Sequence, residues 1–277
     1  VGIRISTNVA SINAQRTMSG GQREIQKSMA QLASGSRITK SADDAAGLAI
    51  SENLKSQARS YLQSQRNAND GISMVQTAEG GLSEVSNILT RMRELAIQSA
   101  SDTVSDRERG FTDKEVQQLK EEMQRISMTT RFGSTRLLDG SAGTFEFQVG
   151  INNVENEDRI KYDASVTNAQ IDNLGVDGFD FSSKEGAQSA LSTIDQAQSQ
   201  VNGYRATLGA LQNRLQSTSD NIGVMHENIS AANSRIRDTD IAQATSEMTR
   251  NSILLNANTS VLGQANQIPQ LALKLLG

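Results

Sequence analysis

Residues 201–236 read VNGYRATLGALQNRLQSTSDNIGVMHENISAANSRI, and one apolar series runs through them. Val201, Leu208, Leu215, Ile222, Ile229 and Ile236 recur every seven residues, and Tyr204, Leu211, Thr218, Met225 and Ala232 hold the second register, three residues on. Spacings of three and four put side chains in one narrow seam of a helix, and a seam must be buried against a partner helix. A second ladder lies upstream: Leu54, Tyr61, Ala68, Val75, Leu82, Leu89 and Ala96, interleaved with Ala78, Val85 and Met92. The seams are far apart in the chain, so the chain is expected to fold back until its ends meet. The expected fold is mainly α: an elongated antiparallel helical bundle or coiled coil of N- and C-terminal segments.

Composition supports long helices. Of 277 residues, aromatics make up 3%, Trp is absent and Pro269 is the one proline. Few rings mean few thick cores, and few prolines mean few helix breakers. A net charge of −4 without a basic stripe argues against nucleic acid binding. The absence of cysteine removes disulfides and thiolate metal sites. No apolar run is long enough for membrane insertion, and Val1 to Ala14 lacks the charged and apolar regions of a secretory signal. A chain of this kind that leaves the cell is expected to use a route that does not read that signal.

The remaining sequence divides the chain. Ile12, Ile25, Met29 and Leu32 are the main apolar points of an otherwise polar first segment, interrupted by Gly20-Gly21. Gly35 reads as a helix stop, and Ser41-Ala42-Asp43-Asp44 as a new start with acid in its first turn. The helix from there is expected to reach about Ser99, with a connector from Ser101 to Gly110. Thr112-Asp113-Lys114-Glu115 and Ser182-Ser183-Lys184-Glu185 fit capping boxes that open two further helices. Between them, Phe145, Phe147 and Val149, then Ile160 and Tyr162, alternate with polar residues around a turn at Asn152-Asn153. This predicts a small β-hairpin over about 144–164. Gly175, Gly178 and their neighbouring aspartates mark a loop. The C-terminal seam loses register near Asp238, restarts at Ile241 and runs through Met248, Leu255 and Leu262 until Pro269 interrupts it. A break in each arm places a joint there. Residues 1–40 and 237–277 then form one module, and 41–181 with 182–236 another.

Nothing here carries chemistry. His226, the one histidine, lies on a seam flank, and any Ser-His-Asp site would rest on it alone. Asp43-Asp44, Asp238 and Asp240 read as helix caps rather than metal ligands. Asn152 to Asp158 lacks the central glycine and the twelfth-position glutamate of a calcium loop. No phosphate-binding glycine motif occurs. No enzyme, no cofactor and no metal is expected. Two association readings remain: the subunit of a self-assembling filament, and a coiled-coil adaptor. Flanks rich in Gln, Asn and Ser rather than Glu and Lys disfavour the adaptor.

With these residues in view, the chain closely resembles bacterial flagellin. The resemblance rests on Leu32-Ala33-Ser34-Gly35-Ser36-Arg37-Ile38 followed by Ala42-Asp43-Asp44-Ala45-Ala46-Gly47, and on Arg66-Asn67-Ala68-Asn69-Asp70-Gly71-Ile72-Ser73. It rests equally on Arg91-Met92-Arg93-Glu94-Leu95-Ala96-Ile97-Gln98-Ser99, Ser234-Arg235-Ile236-Arg237-Asp238-Thr239-Asp240, and Gln264-Ala265-Asn266-Gln267-Ile268-Pro269. It covers nearly all of 1–140 and 182–277.

The resemblance implies a secreted, extracellular structural subunit that polymerises with copies of itself into the filament used for motility. It would be exported unfolded through the flagellar type III channel and assembled at the tip. The terminal arms would form the inner tube and the longer helices the outer tube. With only a short stretch between Gly140 and Ser182, this would be a minimal flagellin without variable outer domains. Implied partners are an export chaperone on the C-terminal arm, and the filament cap and hook–filament junction proteins. Host Toll-like receptor 5 would read Arg91, Leu95 and Glu115. The inflammasome receptors called NAIPs would read Leu273, Leu275 and Leu276, where Lys274 and Gly277 depart from common versions. The inner-tube assembly face would comprise Ile12, Ile25, Met29, Leu32, Met248, Leu255 and Leu262.

Overall fold

The computed structural model describes residues 7–274, with side chains as far as Gln267. Leu275 and Leu276, and the side chain of Leu273, lie outside the described residues. The chain divides into two compact units, Val1–Gln57 with Asn228–Gly277, and Ala58–Glu227.

The second unit is built on two long helices, α2 (Ala45–Ser99) and α6 (Lys184–Arg237). Their polar ties step in opposite directions. Asn69 meets Ser219 at 3.5 Å, Glu79 meets Arg205 at 3.8 Å, Ser86 meets Gln198 at 2.6 Å and Arg93 meets Asp195 at 2.8 Å. Asp102 and Lys184 close the series at 2.7 Å. The helices are therefore antiparallel, and the seven-residue ladders face each other. Ala68, Val75, Ala78, Leu82, Val85, Leu89, Met92 and Ala96 are buried from one side, and Val201, Leu208, Leu211, Leu215 and Ile222 from the other. Each fully buried leucine contributes about 1.5–3 kcal/mol. Helix α3 (Asp106–Thr129) adds Val116 and Met123 to the same core.

The hairpin pairs β3 (Thr144–Gln148) with β4 (Arg159–Asp163), setting Phe145 opposite Tyr162 and Phe147 opposite Ile160. Its connection is not a tight turn at Asn152-Asn153. It is a longer loop containing one helical turn, α4 (Glu155–Asp158). The Asp158 carboxylate organises that loop, accepting from Val154 N at 2.9 Å and Asn152 N at 3.4 Å. A Cβ at Gly150 would stand 1.7 Å from Asp158 Oδ1, so glycine is required there. A smaller ribbon, unforeseen in the sequence, joins β1 (Arg131–Phe132) to β2 (Thr135–Arg136) around Gly133, whose φ is +60°. The stretch expected to be loop holds a further turn, α5 (Ile171–Leu174), just before Gly175.

Three helix starts differ from expectation. Helix α2 opens at Ala45, because Asp44 Oδ1 accepts from Gly47 N at 2.8 Å and takes the cap position in place of Ser41. Asp43 instead closes a turn, accepting from the backbone of Thr39 and Lys40. Helix α3 opens at Asp106, where Glu108 reaches back to Ser105 N at 2.8 Å. The capping pattern occurs twice, and Thr112 to Glu115 falls inside the helix, with the Thr112 hydroxyl donating to Glu108 O at 3.3 Å. Helix α6 is capped by Ser183, which accepts from Gly186 N at 3.1 Å, rather than by Ser182.

Arg109 pins the α2–α3 connection. Its buried guanidinium donates to Ser99 O and Ser101 O, both at 2.9 Å, and to Asp106 Oδ1 at 2.5 Å. Replacing it with alanine orphans these carbonyls and is expected to cost about 2–3 kcal/mol. A lowered urea midpoint with an unchanged slope is the expected reading; an unaltered midpoint contradicts it.

Candidate functional site

In the first unit, α1 (Val9–Ser34) packs on α7 (Ile241–Lys274). Glycine costs a helix only about 1 kcal/mol against alanine, so α1 runs unbroken through Gly20-Gly21 rather than being interrupted there. It ends at Gly35, whose φ of +66° is the left-handed conformation that glycine adopts without strain. Helix α7 likewise continues through Pro269.

The polar root of this pair is dense. Ser36 and Asp238 form an antiparallel bridge, Thr239 N donates to Gly35 O at 3.0 Å and Arg37 N to Arg237 O at 2.6 Å. Arg37 Nη2 also reaches Ile236 O at 2.8 Å, and Arg237 pairs with Glu52. Asp240 caps α7, its Oδ1 accepting from Ala242 N at 2.8 Å. Asp43 sits in the adjacent turn, where first the Thr39 hydroxyl and then the Lys40 amide hold its carboxyl below the usual range.

Burial separates two stripes on α7. Met248, Leu255 and Leu262, picked out by their seven-residue spacing, are half-buried. Ile253, Leu254 and Val261 are exposed, at 63%, 51% and 53%. On α1, Ile25 and Leu32 are half-buried while Ile12 and Met29 are exposed. The second α7 stripe was missed because one ladder was followed. The available signal was adjacency: Ile253-Leu254-Leu255 and Val261-Leu262 cover more of the helix circumference than one seam needs. One helix pair cannot bury both.

In the second unit, Arg91 and Glu115 meet at 2.8 Å, and Arg91 also holds Glu94 at 3.0 Å. Glu115 and then Glu94 raise the Arg91 pKa, but all three side chains are well exposed, so the network adds little stability. Leu95 does not share that surface; it is 3% exposed and packs in the core. A cleft bordered by Tyr61, Ile151, Arg214, Ile222 and Met225 also holds Glu157, Asp158, Ser217 and Thr218. Thr218 donates to Arg214 O and Asp158 accepts from the backbone of Asn152 and Val154, so neither is set against the other as nucleophile and base. Among the described residues there is no cluster of metal-ligating side chains, and no helix is long and apolar enough to cross a membrane.

Residues 5–143 match the bacterial flagellin N-terminal helical region, and residues 191–276 the bacterial flagellin C-terminal helical region. A flagellin of Halalkalibacterium halodurans is 44% identical over 272 residues, covering 98% of this chain and 99% of that protein. Flagellin B of Vibrio cholerae is 34% identical in an alignment of 374 residues that covers 99% of this chain and 100% of the relative, which therefore carries residues this chain lacks. The crystal structure of Bacillus cereus flagellin superposes with a TM-score of 0.51 at 30% identity, over 61% of this chain and 94% of that one.

Proposed function

This chain belongs to the bacterial flagellin family, and from that premise we propose that its α1–α7 pair is the inner-tube module through which subunits join. The protein is a structural subunit of the extracellular flagellar filament and not an enzyme. It is a minimal member, with a short stretch between the two matched regions.

The observation that carries the proposal is the uncovered apolar stripe of α7. Ile253, Leu254 and Val261 add burial only when something covers them. Copies of the same chain are the occupant that a helical homopolymer supplies. Residues 1–40 and 237–277 serve the inner tube in this reading, and 41–236 the outer tube. Export unfolded through the flagellar channel, and capture of the α7 arm by a chaperone beforehand, fit a two-helix module with small buried side chains and an open apolar stripe. Cap and hook–filament junction proteins would meet the same stripe at the filament ends. For host recognition, the Arg91–Glu115 pair is the accessible part of a Toll-like receptor 5 surface, while Leu95 is buried in the core. NAIP reading of the tail leucines remains a sequence-based proposal.

Purified protein seeded with sonicated filaments is expected to form sedimentable tubes visible by electron microscopy. A chain that stays a dimer at all concentrations would favour the adaptor reading instead.

A further inference from the structure

Asn8 caps α1, and its side-chain amide is used at both ends. Oδ1 accepts from Ser11 N at 3.1 Å, and Nδ2 donates to the carbonyl of Ala265 at 2.8 Å. In an α-helix the carbonyl of residue 265 is served by the N–H of residue 269. Residue 269 is proline and has no N–H, yet α7 runs on to Lys274. Ala265 is buried, so its carbonyl has little access to water. We infer that Asn8 is a positioning residue that supplies the donor Pro269 withholds, and so fixes the register of α1 on α7.

The second tie lies at the other end of the pair, where Thr239 N donates to Gly35 O at 3.0 Å. Asn8 to Gly35 and Thr239 to Ala265 are nearly equal lengths of helix, so the two ties agree on one antiparallel register without slack. The buried side chains between them do not fix it, and the larger Ile25, Leu32, Met248, Leu255 and Leu262 are only half-buried. The buried ones are Ala14, Ser28, Ala244 and Ala265, all small, and small side chains pack almost as well one turn away. A slip would change which α7 residues face outward. The inference concerns the folded unit itself and does not depend on polymerisation.

Hydrogen exchange on the full chain separates the donor from the cap. Asn8→Ser keeps a capping oxygen but cannot reach Ala265. Amide protection across 9–34 and 241–267 is expected to fall about fivefold, with Ala58–Glu227 unaffected. Pro269→Ala returns the helical donor to Ala265. In that background Asn8→Ser is expected to lower protection less than about twofold, as the coupling of the two positions requires. Equal losses in both backgrounds would reduce Asn8 to an ordinary cap and overturn the inference. So would no loss in either, or an unaltered chain without protection across α1.

Discussion

Leu254→Asp is expected to abolish filament growth while leaving the subunit folded. Leu254 is 51% exposed, so the folded subunit gives up little packing when it is replaced. Assembly is different. Covering that leucine contributes about 1.5–3 kcal/mol, and covering a carboxylate in its place costs several kcal/mol more. A helical polymer repeats the loss at every subunit, so no elongation survives it. Seeded sedimentation should leave the variant in the supernatant, with a circular dichroism spectrum and exchange pattern like those of the parent. Leu255→Asp and Leu262→Asp provide the contrast. Those residues are half-buried already, so their replacement should block growth and also loosen α1 and α7 in the isolated chain. Normal filaments from Leu254→Asp would remove the basis for assigning the stripe to assembly.

The difference between Leu254 and Leu255 also marks what the sequence could reveal. A seven-residue ladder identifies which residues share a seam, and α2 and α6 confirm it: Val75, Leu82, Leu89 and Ala96 meet Val201, Leu208 and Leu215 in one core. The alternation around Phe145 and Tyr162 likewise located β3 and β4. Helix starts were less legible, because capping chemistry is local and redundant. Ser105 with Glu108 and Thr112 with Glu115 satisfy one pattern, and only the Arg109 contacts with Ser99 and Ser101 show why the earlier one is used. Gly20-Gly21 and Pro269 read as interruptions, yet α1 runs through its glycines where it packs on α7, and α7 runs through Pro269 with Asn8 donating to the Ala265 carbonyl that the proline cannot serve. The tie from Asn8 to Ala265 spans 257 positions, and no spacing rule reaches that far. Leu95 shows the converse limit. Helical spacing of four places it on the same side of α2 as Arg91, yet it lies in the core while the longer Arg91 side chain is half exposed, and spacing alone does not tell the two depths apart.

The same leucine-to-aspartate change at Leu89 is expected to unfold Ala58–Glu227. Leu89 is fully buried among the facing ladders of α2 and α6. Truncating it to alanine would remove the transfer energy and leave a cavity, a loss of about 2–5 kcal/mol. Aspartate adds a carboxylate with no donor aimed at it. The polar tie of Ser86 with Gln198 spends the Gln198 amide nitrogen on Ser86 Oγ, and the Gln198 Oε1 left without a partner is an acceptor that a carboxylate cannot use. Total stability of a domain is about 5–15 kcal/mol, so a loss beyond that of the alanine variant leaves little folded population. The pH dependence identifies the cause. Burial disfavours the charged form, so the introduced carboxyl has a higher pKa folded than unfolded. The folded state then holds the proton over a pH range where the unfolded state has released it, and stability falls as pH rises through that range. Leu89→Asp should therefore recover part of its urea midpoint between about pH 7 and about pH 5, while Leu89→Ala shows no such gain. Equal behaviour of the two variants across that range would mean that the seam opens to water at this level, and that the burial of Leu89 is not what holds α2 to α6.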